Sequence, residues 1–258
     1  VYVYCAVRGA VNARALGKLP ALPDAAPPRA VPLTADISLV VADVPADMYR
    51  AETIEAHLTD IDWVGRCGTA HHGVADALAA KHTVVPLRPF TLFSTEARAR
   101  ATFAALTAEV GAALDRVSGK AEWVLRIGQP EPARVPARSP GSSGPTTRTP
   151  TSGTSFLAQK AAAKRSAGEL AARVRHDAAA VFAALARLAA ESSERPAVPG
   201  TGLLLDAAFL VPSRQIASFK RVLETEAKGL LRDGCRVSLT GPWPPYSFVS
   251  LDSGPNRG

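Results

Sequence analysis

From Gln129 to Ser155 the chain runs QPEPARVPARSPGSSGPTTRTPTSGTS, and this stretch limits the possible folds more than any other. Pro, Gly, Ser, Thr and Arg dominate it, and large apolar residues are nearly absent. Such a segment buries too little surface to offset the entropy lost on ordering it. Loops of this length are uncommon inside compact domains, so it belongs beside a domain boundary. The expected organisation is an N-terminal domain over 1–118 and a C-terminal domain over 119–258, with a flexible loop over about 129–154.

The rest of the chain can build a core. Of its 258 residues, 47% are hydrophobic, which argues against wholesale disorder. Much of that share is Ala, so helices with small-residue faces are expected. No apolar run reaches the roughly 18–20 residues of a membrane span. The opening VYVYCAVRGA alternates like a strand and does not have the pattern of a signal peptide. Cys5, Cys67 and Cys235 are scattered and odd in number, which fits a reducing cytoplasm better than a disulfide framework. The net charge of +7 is spread along the chain without a dense basic block, so it is weak evidence for a nucleic-acid partner.

Periodicity separates strands from helices. Val1, Val3, Cys5 and Val7 alternate with Tyr2, Tyr4 and Ala6, predicting a strand. Residues 10–35 read as loop, and ISLVVADV over 37–44 as a buried strand. A short helix is predicted over 51–59, a turn over 63–68, and a helix from a Thr69 cap to Lys81. HTVVPLRPFTLF, 82–93, reads as an edge or bulged strand because of Pro86 and Pro89. Residues 95–117 carry the apolar stripe Phe103, Leu106, Val110, Leu114 and Val117 of one helix. EWVLRI, 122–127, is a strand that could close a first sheet or open a second, and the second is preferred. A helix from Ser155 to about Glu194, a strand over 203–211, a helix capped by Ser213 and a strand over 235–239 follow. The fold class is therefore α+β: two ferredoxin-like sandwich domains, the second modified by a long helix.

Motifs for chemistry are scarce. There is no Walker-type or Gly-x-Gly-x-x-Gly loop, no Cys-x-x-Cys and no Gly-x-Ser-x-Gly, so no catalytic residue, cofactor or metal is expected. His71 and His72 are adjacent, and on a helix neighbouring side chains diverge by about 100°, which disfavours joint ligation of one ion. Asp206 interrupts an apolar strand and has no visible catalytic partner. A nucleic-acid reading rests on Gly65-Arg66-Cys67-Gly68, which matches the Gly-x-x-Gly clamp of KH modules, and on Tyr2 and Tyr4 as possible stacking residues of an RRM-like sheet.

Several segments in order resemble the gas vesicle protein F/L family. They are VYVYCAV at the start, HHGVADALAAKHTVVPLRPFTLFS over 71–94, EWVLRI, GTSFLAQK, DAAFLVP and VSLTGPWPPYSFV. The resemblance spans residue 1 to about 250, and GPWPPYSF is its sharpest part. It implies an accessory or minor structural protein of the gas vesicle, cytoplasmic and non-catalytic. The implied partners are the small hydrophobic shell protein and other gas vesicle proteins, not nucleic acid or lipid. His72, Arg88, Trp243, Pro245 and Tyr246 stand in the matched motifs, as structural or partner-contact positions. Trp243 and Tyr246 are expected to fill a core rather than meet a partner.

Overall fold

A computed structural model describes residues 1–130, 153–196, 200–249 and 251. The loop expected over about 129–154 lies almost wholly outside the described residues. Packing divides the chain into two compact units. The first comprises Val1–Trp123, Leu210–Ser213 and Gly241–Gly258; the second comprises Val124–Phe209 and Arg214–Thr240.

In the first unit, β1 (Tyr2–Arg8), β2 (Arg29–Pro32), β3 (Ile37–Ala42) and β4 (Val84–Pro86) form one sheet of order β2-β3-β1-β4. All its pairings are antiparallel. β1 is central and buried from Tyr2 to Val7, so both faces of the sheet are covered. That is why the alternation of its sequence is apolar against aromatic, with no polar face. The register slips between Val3 and Cys5, leaving Tyr4 as the extra residue of a bulge. Tyr2, Tyr4, Cys5 and Val7 consequently share one core cluster.

That cluster is closed by α3 (Ile61–Ala79), whose Trp63, Cys67, Ala70, His71, Val74 and Leu78 are buried against it. The turn expected at 63–68 and the cap expected at Thr69 are corrected here: the helix is continuous and starts at Asp60, which accepts from the Trp63 N–H at 3.0 Å. A mid-helix glycine costs roughly 1 kcal/mol against alanine, which is less than this apolar face gains by burial. Two supports of the nucleic-acid reading fall with it. Gly65 to Gly68 lie inside a helix, so their backbone is committed to the helix rather than to a phosphate clamp. Tyr2 and Tyr4 are 1% and 0% exposed and offer no stacking platform.

α1 (Ala13–Leu16) and β2 occupy the region expected to be loop, and α2 (Ala51–His57) precedes α3. The expected helix over 95–117 is two, α4 (Glu96–Ala105) capped by Thr95 and α5 (Thr107–Val117), broken at Leu106 where φ is −102° and ψ 17°. The expected strand over 82–93 reduces to β4 and an isolated bridge between Tyr2 and Leu92, because Pro89 cannot donate to a ladder.

The second sheet has the order β6-β7-β5-β8, built from β5 (Lys120–Gly128), β6 (Glu191–Arg195), β7 (Leu203–Pro212) and β8 (Arg236–Trp243). EWVLRI thus belongs to the second sheet as an inner strand. Each half runs strand, helix, two strands, helices, strand, with the same spatial order. In the second unit α6 (Gly153–Ala186) packs on α7 (Ile216–Glu226) and α8 (Lys228–Arg232). Val174, Ala178, Val181 and Leu185 form the buried part of the predicted seam, whereas Ala163 and Ala167 are exposed. The helix ends before the expected Glu194, and the polar ESSER becomes β6. Asp206 is paired with Arg126 at 3.5 Å and Arg195 at 3.6 Å, a structural role for the one carboxylate in that strand.

Candidate functional site

The site begins with a histidine that the sequence raised only as half of a disfavoured metal pair. His71 sits on the buried face of α3, 2% exposed. Its Nε2 lies 3.1 Å from the Leu87 carbonyl, which can only accept, so Nε2 carries the proton. Nδ1 is then the acceptor and takes the Tyr2 hydroxyl proton at 2.7 Å. The Tyr2 oxygen in turn accepts the Phe90 N–H at 3.2 Å. Every side-chain polar atom of the His71–Tyr2 relay has a partner, and the imidazole is neutral. Burial lowers the His71 pKa from 6.5 to about 4, with His72 adding to the effect, while the bond to Leu87 opposes it. Both ring nitrogens are committed, so His71 has no lone pair to give a metal. Among the described residues no group of three His, Cys, Asp or Glu is placed to hold one.

This network fixes the turn after β4. The Leu87 N–H donates to the Tyr4 carbonyl at 2.9 Å, the Thr91 hydroxyl donates to the Arg88 carbonyl at 2.7 Å, and the Val3 N–H donates to the Thr91 carbonyl at 2.9 Å. Phe90 has φ +63°, a region that costs a bulky residue on the order of 1–3 kcal/mol. Its ring lies stacked on Trp63 at 5.6 Å and edge-on to Tyr2, which holds it there. Arg88 and Pro89 are exposed at the tip of this turn.

The chain end meets the same region. Pro244 and Pro245 are buried, Phe248 is 6% exposed, and Tyr246 is half-buried with its ring 6.0 Å from His72 and 6.1 Å from His71. Burial raises the Tyr246 pKa. Trp243 is not a core residue as expected. It is 37% exposed, with its ring 5.2 Å from His72. The core positions of this segment are Pro244, Pro245 and Phe248. The segment is anchored by Glu122, whose carboxylate accepts from the Ser247 N–H and the Ser247 hydroxyl, both at 2.7 Å. Gly241, φ +138°, passes so close that a Cβ would lie 2.8 Å from the Glu122 carbonyl oxygen.

His72, Trp243 and Tyr246 therefore converge, with Pro245 buried beside Tyr246 in sequence, and Arg88 joins Tyr246 in lining one cleft of about 390 Å³. Arg116, Leu87, Ser247 and Phe248 also line it. The sequence reading missed Arg116 and Glu122, and weighed His71 only as half of a metal pair. A signal for Glu122 was present, since a carboxylate opening an apolar strand needs a partner.

The chain matches the family model for gas vesicle synthesis protein GvpL/GvpF over residues 1–250. It is 28% identical over 224 residues to gas vesicle protein L of Streptomyces sp. (strain CB03234), covering 84% of this chain and 81% of that protein. Its fold is similar to the crystal structures of gas vesicle protein GvpF from Anabaena sp. PCC7120 and from Microcystis aeruginosa, each with a TM-score of 0.64 over 97% of this chain. The matches cover 95% and 98% of those chains, at 18% and 14% identity. No helix among the described residues is long and apolar enough to cross a membrane.

Proposed function

The chain belongs to the GvpL/GvpF family of gas vesicle synthesis proteins, and from that premise we propose that it is a non-catalytic assembly component that binds the vesicle's small hydrophobic shell subunit in the cytoplasm. The observation that carries this reading is the extent of the family match, which runs over residues 1–250 and so takes in the eight strands among the described residues and the converging segments of the site. A small shell subunit exposes a large apolar face before it polymerises, and such faces aggregate unless covered. A protein that covers one works by contact surface and needs no reactive group. We read both halves as ferredoxin-like, a view supported by the shared strand order β2-β3-β1-β4 and β6-β7-β5-β8. The domains are taken as 1–118 and 119–258. His72, Arg88, Trp243, Pro245 and Tyr246 are the proposed contact or supporting positions.

The test is capture of the shell subunit by the purified full chain at low and raised salt. Contact dominated by apolar burial retains the subunit at both. A phosphate-dominated contact would lose on the order of a thousandfold in affinity over the same range. No capture at either salt, together with tight salt-sensitive binding to RNA or DNA, overturns the reading.

A further inference from the structure

The first half of α6 is an uncovered arm. Every residue from Leu157 to Glu169 is exposed, and partial burial begins at Leu170. The stretch is about 20 Å of helix at 1.5 Å per residue. It is rich in Ala, Lys, Arg and Gln, strong helix formers that hold a helix without packing. At 100° per residue, Leu157, Lys160, Lys164 and Arg165 fall within about 140° of one another, on one side. Leu157 is 64% exposed. Lys160 and Lys164 stand at i and i+4, a like-charge pair that disfavours an isolated helix. Glu169 is the one acid of the stretch, so the arm is basic.

A surface of opposite character lies in the first unit, where α2 runs into α3. Leu58 and Ile61 are 54% and 84% exposed there. Exposed Glu52 and Glu55 precede them, and exposed Asp60 and Asp62 flank Ile61. Arg50 and Arg66 are the exposed cations closest in sequence, so the acids outnumber them. Glu52, Glu55 and Leu58 recur at every third residue and share one side of α2, within about 120°. Among the described residues five large apolar side chains are exposed, and three of them, Leu58, Ile61 and Leu157, belong to these two surfaces.

We propose that these surfaces meet between two copies of this chain: the α6 arm of one copy lies antiparallel to α2 of the next, with Leu157 against Leu58 and Ile61, Lys160 against Glu55 and Lys164 against Glu52. The spacing carries the pairing. Along the arm, Lys160 and Lys164 stand about 5 and 11 Å from Leu157; back along α2, Glu55 and Glu52 stand about 5 and 9 Å from Leu58. Charge and apolar area thus match in register and in sign. A second copy is the partner whose complementary face is present in this same chain. The two faces differ, so the contact is head-to-tail and leaves an arm and a corner open at the ends. A contact of this size belongs to the small, transient class, in which rim charges steer and select the partner. A phosphate backbone would use the cations and leave Leu157 without a role.

Sedimentation velocity of the purified full chain, with no shell subunit present, tests this. At low salt the mass should rise above the 26.9 kDa of one chain as concentration increases, and fall back in raised salt. Lys160→Glu with Lys164→Glu, or Glu52→Lys with Glu55→Lys, should each weaken association on the order of tenfold or more. Mixing the two double variants restores opposite charges wherever unlike copies meet, and should restore association. Leu157→Ala should weaken it with no change of charge. All five side chains are exposed, so melting temperatures should stay at the wild-type value and exclude misfolding. Association that ignores the reversals, or that mixing does not restore, overturns the proposal. The mass of one chain at every concentration also overturns it, and leaves the shell-binding reading standing. If the arm reversal then lowers shell-subunit capture, the arm is a shell contact instead.

Discussion

The Tyr2 hydroxyl donates to His71 Nδ1 at 2.7 Å, across 69 residues of sequence, and the proton on the opposite ring nitrogen goes to Leu87. A second proton on that ring would occupy Nδ1 and break the bond that the Tyr2 hydroxyl donates there. The folded state therefore keeps His71 neutral down to about pH 4, while an unfolded histidine takes a proton near 6.5. Between those values the unfolded chain binds more protons, so stability falls as pH drops from about 6.5 and levels off near 4. The full loss is about 3 kcal/mol by linkage. Urea unfolding at a series of pH values should show this step in wild type and lose it in His71→Gln. The same step in His71→Gln would assign it to other groups.

Tyr2→Phe removes the donor and leaves Nδ1 and the Phe90 N–H without their buried partner. It should cost about 1–3 kcal/mol at neutral pH. Equilibrium unfolding measures it directly, and an unchanged midpoint would mean that the hydroxyl is not part of the network.

Gly241→Ala should destabilise by about 2 kcal/mol or more, because φ +138° is open only to glycine and the added methyl meets main chain rather than a movable side chain. The obstacle is the Glu122 carbonyl oxygen at 2.8 Å, with the Trp123 ring at 3.0 Å. Thermal unfolding checks this, with Gly9→Ala as the comparison: that site is also at positive φ but has nothing within 4 Å.

Trp243 and Phe248, two of the three aromatic residues of the C-terminal segment, should behave differently. Phe248→Ala removes a ring that is 6% exposed and should cost about 3–5 kcal/mol. Trp243→Ala, at 37% exposure, should cost about 1 kcal/mol. A larger loss at Trp243 than at Phe248 would reverse the assignment of which ring anchors the segment.

Cys5, Cys67 and Cys235 are all buried free thiols, and burial raises the pKa of each. The thiolate is the reactive form, so the folded protein should be nearly inert to a thiol reagent at neutral pH and should react at all three positions once unfolded. Rapid labelling of the native protein would contradict the burial.

What could be read from the sequence follows the strength of its local patterns. β3, β5, β7, α5 and α7 carry apolar runs or stripes long enough to declare themselves. β2 and β6 do not. RAVP hides among Ala and Pro, and ESSER has no apolar residue at all, because an edge strand needs its backbone bonds more than its side chains. α3 was cut short in the reading by Gly65 and Gly68, whose local penalty is outweighed by a packed face that only the tertiary fold reveals. Of the five motif residues, His72 lies against Trp243 and Tyr246, and Arg88 shares a cleft with Tyr246. The choice of His72 over His71 could not be settled from spacing, since neighbours on a helix differ only in which way the helix is rotated.

The shared strand order has a practical consequence. In one half the connection from first to second strand is residues 9–28 with the four-residue helix α1; in the other it is residues 129–190 with the 34-residue α6. The strand order is the same despite a threefold difference in length, and loop closure charges only about 1 kcal/mol for such a difference. That crossover is where this architecture accepts extra chain. A reporter or affinity tag spliced between β1 and β2 would ask of the first half only what the second already does.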